Sequence, residues 1–161
     1  MNDNLSKRER SHLMAKVRAR GNKSTELVLA KFFRRNKITG WRRHLEIRKA
    51  EAGNWKFSVR PDFVFLRPKL AVFVDGCFWH GCPKHGTQPK GNAKYWRKKI
   101  SNNQIRDRTV VRTLRKSGWQ VLRIWEHDLR QFHESGLLQK FYRYQLKPRS
   151  FELCIKCVRV K

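Results

Sequence analysis

The sequence is short of acidic residues and of long apolar stretches. Only 12 of its 161 residues are Asp or Glu, against 39 Lys and Arg, so the formal net charge is +27. No stretch approaches the roughly 20 apolar residues that a membrane-spanning helix requires. The N-terminal residues lack the apolar core of a secretory signal. These shortages predict a soluble intracellular protein without a membrane partner.

The excess of positive charge indicates the class of partner, which is a polyanion and most simply nucleic acid. A chain of 161 residues favours one folded domain. We place that domain at residues 23–147, between a basic N-terminal arm over 1–22 and a basic C-terminal tail over 148–161. The arm is either a solvated tail or a segment that grips phosphates. Four cysteines in a reducing compartment indicate metal binding more than disulfides.

One stretch, LAVFVDGCFWHGCPKH over residues 70–85, combines a buried strand with a turn rich in reactive side chains. Leu70–Val74 is apolar and β-branched, which predicts a strand at the centre of a sheet. Asp75 and Gly76 end that strand. Two thiols, two imidazoles and two aromatic rings follow in the turn, so we place the working site there.

A second strand is predicted just before this one, over Asp62–Leu66, because Pro61 cannot donate to a strand ladder. A short turn at Arg67–Lys69 joins the two strands as a hairpin. In an antiparallel pair the start of one strand meets the end of the next, so Asp62 is expected beside Val74 and Asp75.

The remaining pattern predicts an α/β fold with a central mixed sheet flanked by helices. We expect a helix over 24–36, a strand over 41–47, a loop over 49–55, a helix over 103–117, a strand over 119–125 and a helix over 137–144. Glu26 lies in the first turn of the first helix. It serves there either as a partner of the helix dipole or as a residue pointing toward the site.

Cysteine and histidine in the turn have the spacing of a zinc site. Cys77, Cys82 and His85 offer three ligands, and His127 at the end of a neighbouring strand is the expected fourth. A rival set recruits Cys154 and Cys157 from the tail. The alternative to any metal is that the turn cysteines are small buried groups.

Asp62 and His80 are the candidate catalytic groups. A carboxylate at a strand edge is a hard-oxygen ligand for Mg²⁺, although it also suits a capping role. A neutral imidazole can take a proton from water, although His80 could instead be the fourth zinc ligand. Phe78, Trp79 and Trp96 are either core residues or a wedge that enters between base steps.

Together these motifs resemble the very-short-patch repair endonucleases, DNA mismatch nicking enzymes with a restriction-endonuclease-like fold. The similar segments are RPDFV at 60–64, VFVDGCFWHGC at 72–82, YW-x2-KI-x2-N-x2-RD at 95–107 and GW-x-V-x2-IWE at 118–126. Three positions depart from the family's best-known pattern: Asp75 replaces His, His85 is displaced by one residue, and His127 replaces Cys.

The resemblance implies a Mg²⁺-dependent enzyme that nicks one strand of double-stranded DNA beside a T·G mismatch, in the nucleoid-associated cytoplasm of a bacterial-type cell. We expect it to act as a monomer on DNA. It implies Mg²⁺ on Asp62 and the backbone carbonyl of Val74, to which Asp75 could add a carboxylate. His80 would be the general base, oriented by Asp107, with Asn103 holding water or phosphate and Glu26 in support.

The resemblance also assigns DNA contacts and a structural metal. Phe78, Trp79 and Trp96 would be the wedge, and we add the basic residues Lys99 and Arg106 to the DNA-binding set. Cys77 and Cys82 fit the family's first two zinc positions.

Three other functions remain open from sequence. One is a related nuclease of a mobile element or defence system that has no mismatch preference. The second is a non-catalytic nucleic-acid binder stapled by zinc, and the third is a basic structural protein similar to a ribosomal one. Neither of the last two functions explains why Asp62, His80 and Asp107 occur together.

Overall fold

The computed structural model describes residues 25–51, 54–87, 89, 91–130, 134–144 and 146, together with residue 8. Apart from residue 8, the predicted arm over 1–22 lies outside this part of the chain, as do the predicted tail over 148–161 and its Cys154 and Cys157. Among the described residues, no helix is both long and apolar enough to cross a membrane.

The central sheet contains four strands in the order β1-β4-β5-β6. These strands are β1 at Trp41–Arg43, β4 at Phe63–Phe65, β5 at Leu70–Asp75 and β6 at Gln120–Trp125. The first three pair antiparallel, whereas β5 and β6 pair in parallel. The sheet is therefore mixed, as predicted.

A separate two-stranded hairpin corrects one sequence prediction. Residues 49–55 were expected to form a loop, but β2 at Ile47–Glu51 pairs antiparallel with β3 at Asn54–Val59. The expected strand over 41–47 is also divided, because β1 ends at Arg43 and β2 belongs to the other sheet. Basic and small residues hid the alternation that signals a strand.

Between residues 25 and 146, four described helices flank the sheet: α1 at Glu26–Arg35, α2 at Ala93–Lys116, α3 at Glu126–Arg130 and α4 at Glu134–Tyr142. The predicted helix over 103–117 is the second half of α2, which begins ten residues earlier. His127, expected at the end of a strand, lies in α3 instead.

Alternating residues of the strands face two separate cores, which defines the layers. Phe63, Phe65 and Leu70 pack on one side with Phe33 of α1 and Phe141 of α4. The opposite side packs Val64, Ala71 and Val121 against Leu114 of α2, with Phe57 of the β2–β3 hairpin alongside. The period-two alternation of a strand produces this division. Asp75 and Arg123 share the α2 side because they follow Ala71 and Val121 at even spacing.

Candidate active site and metal centre

The Asp62 carboxylate lies at the meeting point of β4 and β5. The β4–β5 register pairs Phe63 with Val72, which brings the preceding Asp62 to the end of β5. There its Oδ2 accepts a hydrogen bond from the backbone nitrogen of Val74 at 2.7 Å. The predicted contact between Asp62 and the end of the next strand is confirmed.

Two further side chains join Asp62 in a potential cation site. One ligand atom from each of Glu26, His44 and Asp62 lies within 4.8 Å of the others. Glu26 is only 4% exposed although it is ionisable. Its Oε2 is 2.6 Å from Arg43 Nη2 and 3.0 Å from His44 Nε2. Glu26 therefore points to the site instead of serving only the start of α1.

The electrostatics of Asp62 disfavour its ionised form. Burial raises the pKa of Asp62 to about 6, and the negative charges of Glu26 and Asp75 add to that effect. The hydrogen bond from Val74 and the nearby His80 act in the opposite direction. A carboxylate held above its usual pKa in a cavity is poised to gain from a bound cation.

His80 and Asp107 form a close pair beside Asp62. His80 Nδ1 is 2.6 Å from Asp107 Oδ2. Burial opposes ionisation of Asp107, but the hydrogen bond from His80 and the charge of Arg123 more than offset it and lower the pKa of Asp107. An ionised carboxylate only accepts hydrogen bonds, so Nδ1 donates the proton and Nε2 is left as an acceptor.

One cavity of about 780 Å³ joins these groups. Its walls include Glu26, Asp62 and Val74 on one side and His80 and Asp107 on the other. Arg106 of α2 also lines it, which places a cation at the edge of the opening. The catalytic groups predicted from the sequence therefore line the same cavity, except for Asn103.

Asn103 has a different position from the one expected. Its Nδ2 donates to the backbone oxygen of Trp79 at 2.9 Å, and Asn103 is absent from the cavity wall. The neighbouring Gln104 reaches the backbone oxygens of His80 and Gly81 at 3.4 and 3.5 Å. These amides attach the turn that carries His80 to α2.

Asp75 was considered a possible further Mg²⁺ ligand, but the structure commits its carboxylate elsewhere. Arg123 Nε is 2.6 Å from Asp75 Oδ2 and Arg123 Nη2 is 2.5 Å from Asp75 Oδ1. Asp75 is only 3% exposed. Both of its oxygens are taken by this bidentate pair, so Asp75 lies outside the Glu26, His44 and Asp62 group.

The aromatic residues of the turn form one cluster with α2. Phe78, Trp79 and Trp96 contact one another with ring centroids 5.1 to 5.9 Å apart. Trp96 is buried, whereas Phe78 and Trp79 are half-buried. Exposed Tyr95 packs on Trp96 at 5.2 Å. Trp79 also lines the cavity that contains Asp62 and His80, so the cluster borders the catalytic groups.

The four predicted zinc ligands come together on the other side of the same turn. Cys77, Cys82, His85 and His127 each place one ligand atom within 4.8 Å of the others. His127 Nδ1 lies 3.3 Å from Cys77 Sγ and 3.5 Å from Cys82 Sγ, and His85 Nδ1 lies 3.9 Å from Cys82 Sγ. His80 pairs with Asp107 instead of joining this group.

These separations suit a tetrahedral metal. With Zn–S near 2.3 Å and Zn–N near 2.0 Å, sulfur and nitrogen ligands are about 3.5 Å apart. Burial raises the pKa of the Cys77 thiol, and neighbouring Cys82 also disfavours the thiolate. A dication bound between the two sulfurs would stabilise the thiolates against both burial and their mutual repulsion. The donor set therefore fits zinc.

Two residues of the site were missed in the sequence, His44 and Arg123. His44 follows a short basic strand, and no motif or spacing in that part of the sequence marks its imidazole as a site residue. Arg123 had a signal, since it is the one charge within the apolar segment VLRIW of β6. A lone cation in a buried strand needs a buried anion as partner, and Asp75 on the adjacent parallel strand is that anion.

Comparison with known proteins identifies the family that carries this arrangement. The family model described as DNA mismatch endonuclease Vsr matches residues 2–85, just over half of the chain. The chain belongs to the DNA mismatch endonuclease Vsr family. Its mixed sheet with flanking helices is consistent with the restriction-endonuclease-like fold expected for the Vsr family, and membership makes the chain a DNA endonuclease.

Several curated proteins are similar to this Vsr-family chain. The type II nicking enzyme V.NmeDIP of Neisseria meningitidis serogroup C is 37% identical over 79% of this chain and 80% of its own length. V.NaeI of Lentzea aerocolonigenes is 57% identical, but over 44% of this chain and 43% of that protein. The DNA mismatch endonuclease Vsr of Escherichia coli K12 is 39% identical over 44% of this chain and 46% of its own length.

Proposed function

We propose that this protein is a Mg²⁺-dependent endonuclease that nicks one strand of double-stranded DNA beside a T·G mismatch. The observation that carries the proposal is the His80–Asp107 pair, which opens into the same cavity as Asp62. The names of the relatives support nicking, and the Escherichia coli relative is named as a mismatch endonuclease.

The residues that would hold Mg²⁺ are Asp62, the backbone carbonyl of Val74 and, in support, Glu26. Two carboxylates within 4.8 Å of each other suit a hard dication that prefers oxygen ligands. Mg²⁺, when bound, supplies positive charge for the phosphodiester as it is cleaved. Arg43 and His44 hold the Glu26 carboxylate in place at 2.6 and 3.0 Å.

His80 would act as the general base. Asp107 accepts a hydrogen bond from Nδ1–H, which fixes the ring and leaves Nε2 free to take a proton from the attacking water. Asp107 stays ionised and therefore stabilises the imidazolium that forms. Asn103 would serve this base indirectly, by holding the backbone of Trp79 next to His80.

Recognition of the substrate would combine a wedge with phosphate contacts. Phe78, Trp79 and Trp96 form a connected aromatic cluster beside the cavity, which suits insertion next to an unstable base pair. Lys99 and Arg106 are exposed on α2, and Arg106 lines the cavity. Their charges would contact backbone phosphates and contribute affinity without sequence information.

The group Cys77, Cys82, His85 and His127 would hold a structural zinc. It joins the turn after β5 to α3, which follows β6, and so fixes the turn that carries His80. We also propose that the protein acts as a monomer, because the catalytic groups all come from one chain.

A second candidate is a nicking enzyme of a mobile element or defence system without mismatch preference. The relatives named type II nicking enzymes favour it, because those names mention no mismatch. A non-catalytic zinc-stapled binder would leave the half-buried His80–Asp107 pair and the Asp62 site without a use.

A strand-resolved nicking assay tests these functions together. Matched and T·G duplexes, each strand labelled, would be incubated with Mg²⁺ or with EDTA, using Asp62→Ala and His80→Ala as controls whose folding is checked by circular dichroism. We expect one nick at T·G that requires Mg²⁺ and both residues. Equal cutting of both duplexes would favour the second candidate, and absence of cutting in any condition would overturn catalysis.

A further inference from the structure

Arg123, which no sequence pattern assigned to the site, contacts the carboxylates beside His80. Its Nε and Nη2 bind the two oxygens of Asp75. The same Nη2 is 2.9 Å from Asp107 Oδ2 and 3.3 Å from His80 Nδ1. One guanidinium nitrogen therefore touches both carboxylates and lies beside the imidazole.

The backbone register of the parallel strands sets this geometry. Arg123 on β6 is paired with Phe73 on β5, two residues before Asp75 and on the same face. The guanidinium lies over the Phe73 ring at 5.6 Å and reaches along the strand to Asp75. A planar guanidinium can bind one carboxylate through two parallel hydrogen bonds and contact a second one, whereas an ammonium lacks this bidentate geometry.

Two carboxylates lie near the same imidazole nitrogen. Asp107 Oδ2 is 2.6 Å from His80 Nδ1, and Asp75 Oδ1 is 3.7 Å from it. Arg123 Nη2 is also 2.9 Å from Asp107 Oδ2, so the guanidinium that binds Asp75 holds the oxygen that accepts the hydrogen bond from His80 Nδ1. Without Arg123 the Asp107 carboxylate would lose that contact and could turn away from Nδ1, and the proton would no longer be fixed on that nitrogen.

We propose that Arg123 is a positioning residue for nicking: it clamps Asp75 and Asp107 so that His80 keeps a single ring orientation with the proton on Nδ1. The inference rests on the proposed role of His80 as the base. It predicts that loss of Arg123 lowers kcat about tenfold to a hundredfold, as loss of a supporting contact typically does, with little change in KM.

The alternative is that Arg123 only neutralises the buried Asp75 carboxylate. A single and a double substitution distinguish these two roles. Arg123→Met alone leaves a buried carboxylate without its counter-charge and is expected to destabilise the fold. The double variant Asp75→Asn with Arg123→Met removes that buried charge and is expected to restore the melting temperature. If Arg123 positions His80, the double variant still has the low kcat, and Arg123→Lys recovers only part of it.

Exposed Arg112 of α2 provides the matched control. It lines the same groove as Arg123, but no hydrogen bond or ion pair within the described residues joins it to His80, Asp75 or Asp107. Arg112→Met removes the same charge, so its kcat at saturating DNA should equal that of the wild type. A wild-type kcat in the folded double variant would overturn the inference.

A measurement without DNA separates this inference from the proposed function. Two-bond ¹H–¹⁵N correlation spectra report the tautomer of each histidine, and His80→Ala assigns the His80 signals. We expect the Nδ1-protonated form in the wild type and a mixture of tautomers in the double variant. An unchanged tautomer would overturn the inference even if nicking were confirmed, whereas a wild type that does not nick would overturn only the proposed function.

Discussion

Asp62 Oδ2 accepts a hydrogen bond from the backbone nitrogen of Val74 at 2.7 Å, yet this single contact does not compensate for the burial of the carboxylate. Burial and two neighbouring acids raise the pKa of Asp62 to about 6. The side chain that we assign to Mg²⁺ binding is therefore costly to keep ionised in the folded protein. Its position reflects function more than stability.

The first prediction concerns the stability of the Asp62→Asn variant in EDTA. The folded-state pKa is raised from 3.8 to about 6, so this group favours folding fully below pH 3.8 and loses that contribution as pH rises through 6. At about 1.4 kcal/mol per pKa unit, the ionised group costs up to about 3 kcal/mol at pH 7.5.

Asparagine keeps an oxygen for the Val74 amide and carries no charge. The variant should therefore unfold at a higher denaturant concentration than the wild type at pH 7.5, with the gap shrinking toward pH 4. Urea titrations of the variant and the wild type at pH 7.5 and at pH 4 measure this difference in stability. A variant that is less stable at pH 7.5 would contradict the assigned burial cost.

The second prediction concerns zinc. Purified protein should contain about one zinc ion per chain, and Cys82→Ser or His127→Ala should lose it and melt at a markedly lower temperature, because metal binding contributes to folding. Metal content by mass spectrometry and thermal unfolding measure this. The double substitution of Cys154 and Cys157 by serine is the control and should retain the metal. If Cys82→Ser and His127→Ala kept the zinc and the Cys154/Cys157 variant lost it, the ligand set that includes Cys154 and Cys157 would be favoured.

The third prediction concerns Gly81, which follows His80 in the turn. Its φ is +62°, and an added Cβ would lie 2.8 Å from Ile100 Cγ2 and 2.5 Å from Gln104 Nε2. Gly81→Ala should therefore combine backbone strain of about 1–2 kcal/mol with crowding against α2 of about 1–3 kcal/mol. Activity should fall as well, because the turn carries His80.

Gly118 is the matched control for this substitution. It has a φ of +76° but no atom within 4 Å of an added Cβ. Gly118→Ala should show the backbone strain alone, without loss of kcat. Equal destabilisation of the two variants in denaturant titrations would mean that the contact with α2 is not close.

The fourth prediction concerns the aromatic cluster. If the rings enter beside the mismatch, Phe78→Ala should reduce the ratio of kcat/KM for T·G over matched duplex by about tenfold, since stacking on a base contributes about 1–3 kcal/mol. Tyr95→Ala is the control, because Tyr95 is 59% exposed and packs on Trp96 from outside. A ratio unchanged by Phe78→Ala would leave those rings a purely structural role.

Patterns that are local in sequence predicted much of this protein correctly. The apolar runs within 62–66, 70–74 and 119–125 identified strands β4, β5 and β6, and the short turn after Leu66 identified the hairpin that brings Asp62 to Val74. The zinc group followed from ligand chemistry and spacing. The two-stranded hairpin over 47–59 was missed, since its charged residues conceal the alternation on which strand prediction depends.

The sequence by itself determined the types of side chain available and the strand ends on which they lie. Only the tertiary structure decided which of them meet. Asp75 could ligate Mg²⁺ as far as the sequence shows, but the parallel register of β5 and β6 places Arg123 against it. Asn103 could face the cavity, but the docking of α2 turns it to Trp79. Such partners come from residues distant in the chain, and their contacts depend on register and packing that no local pattern specifies.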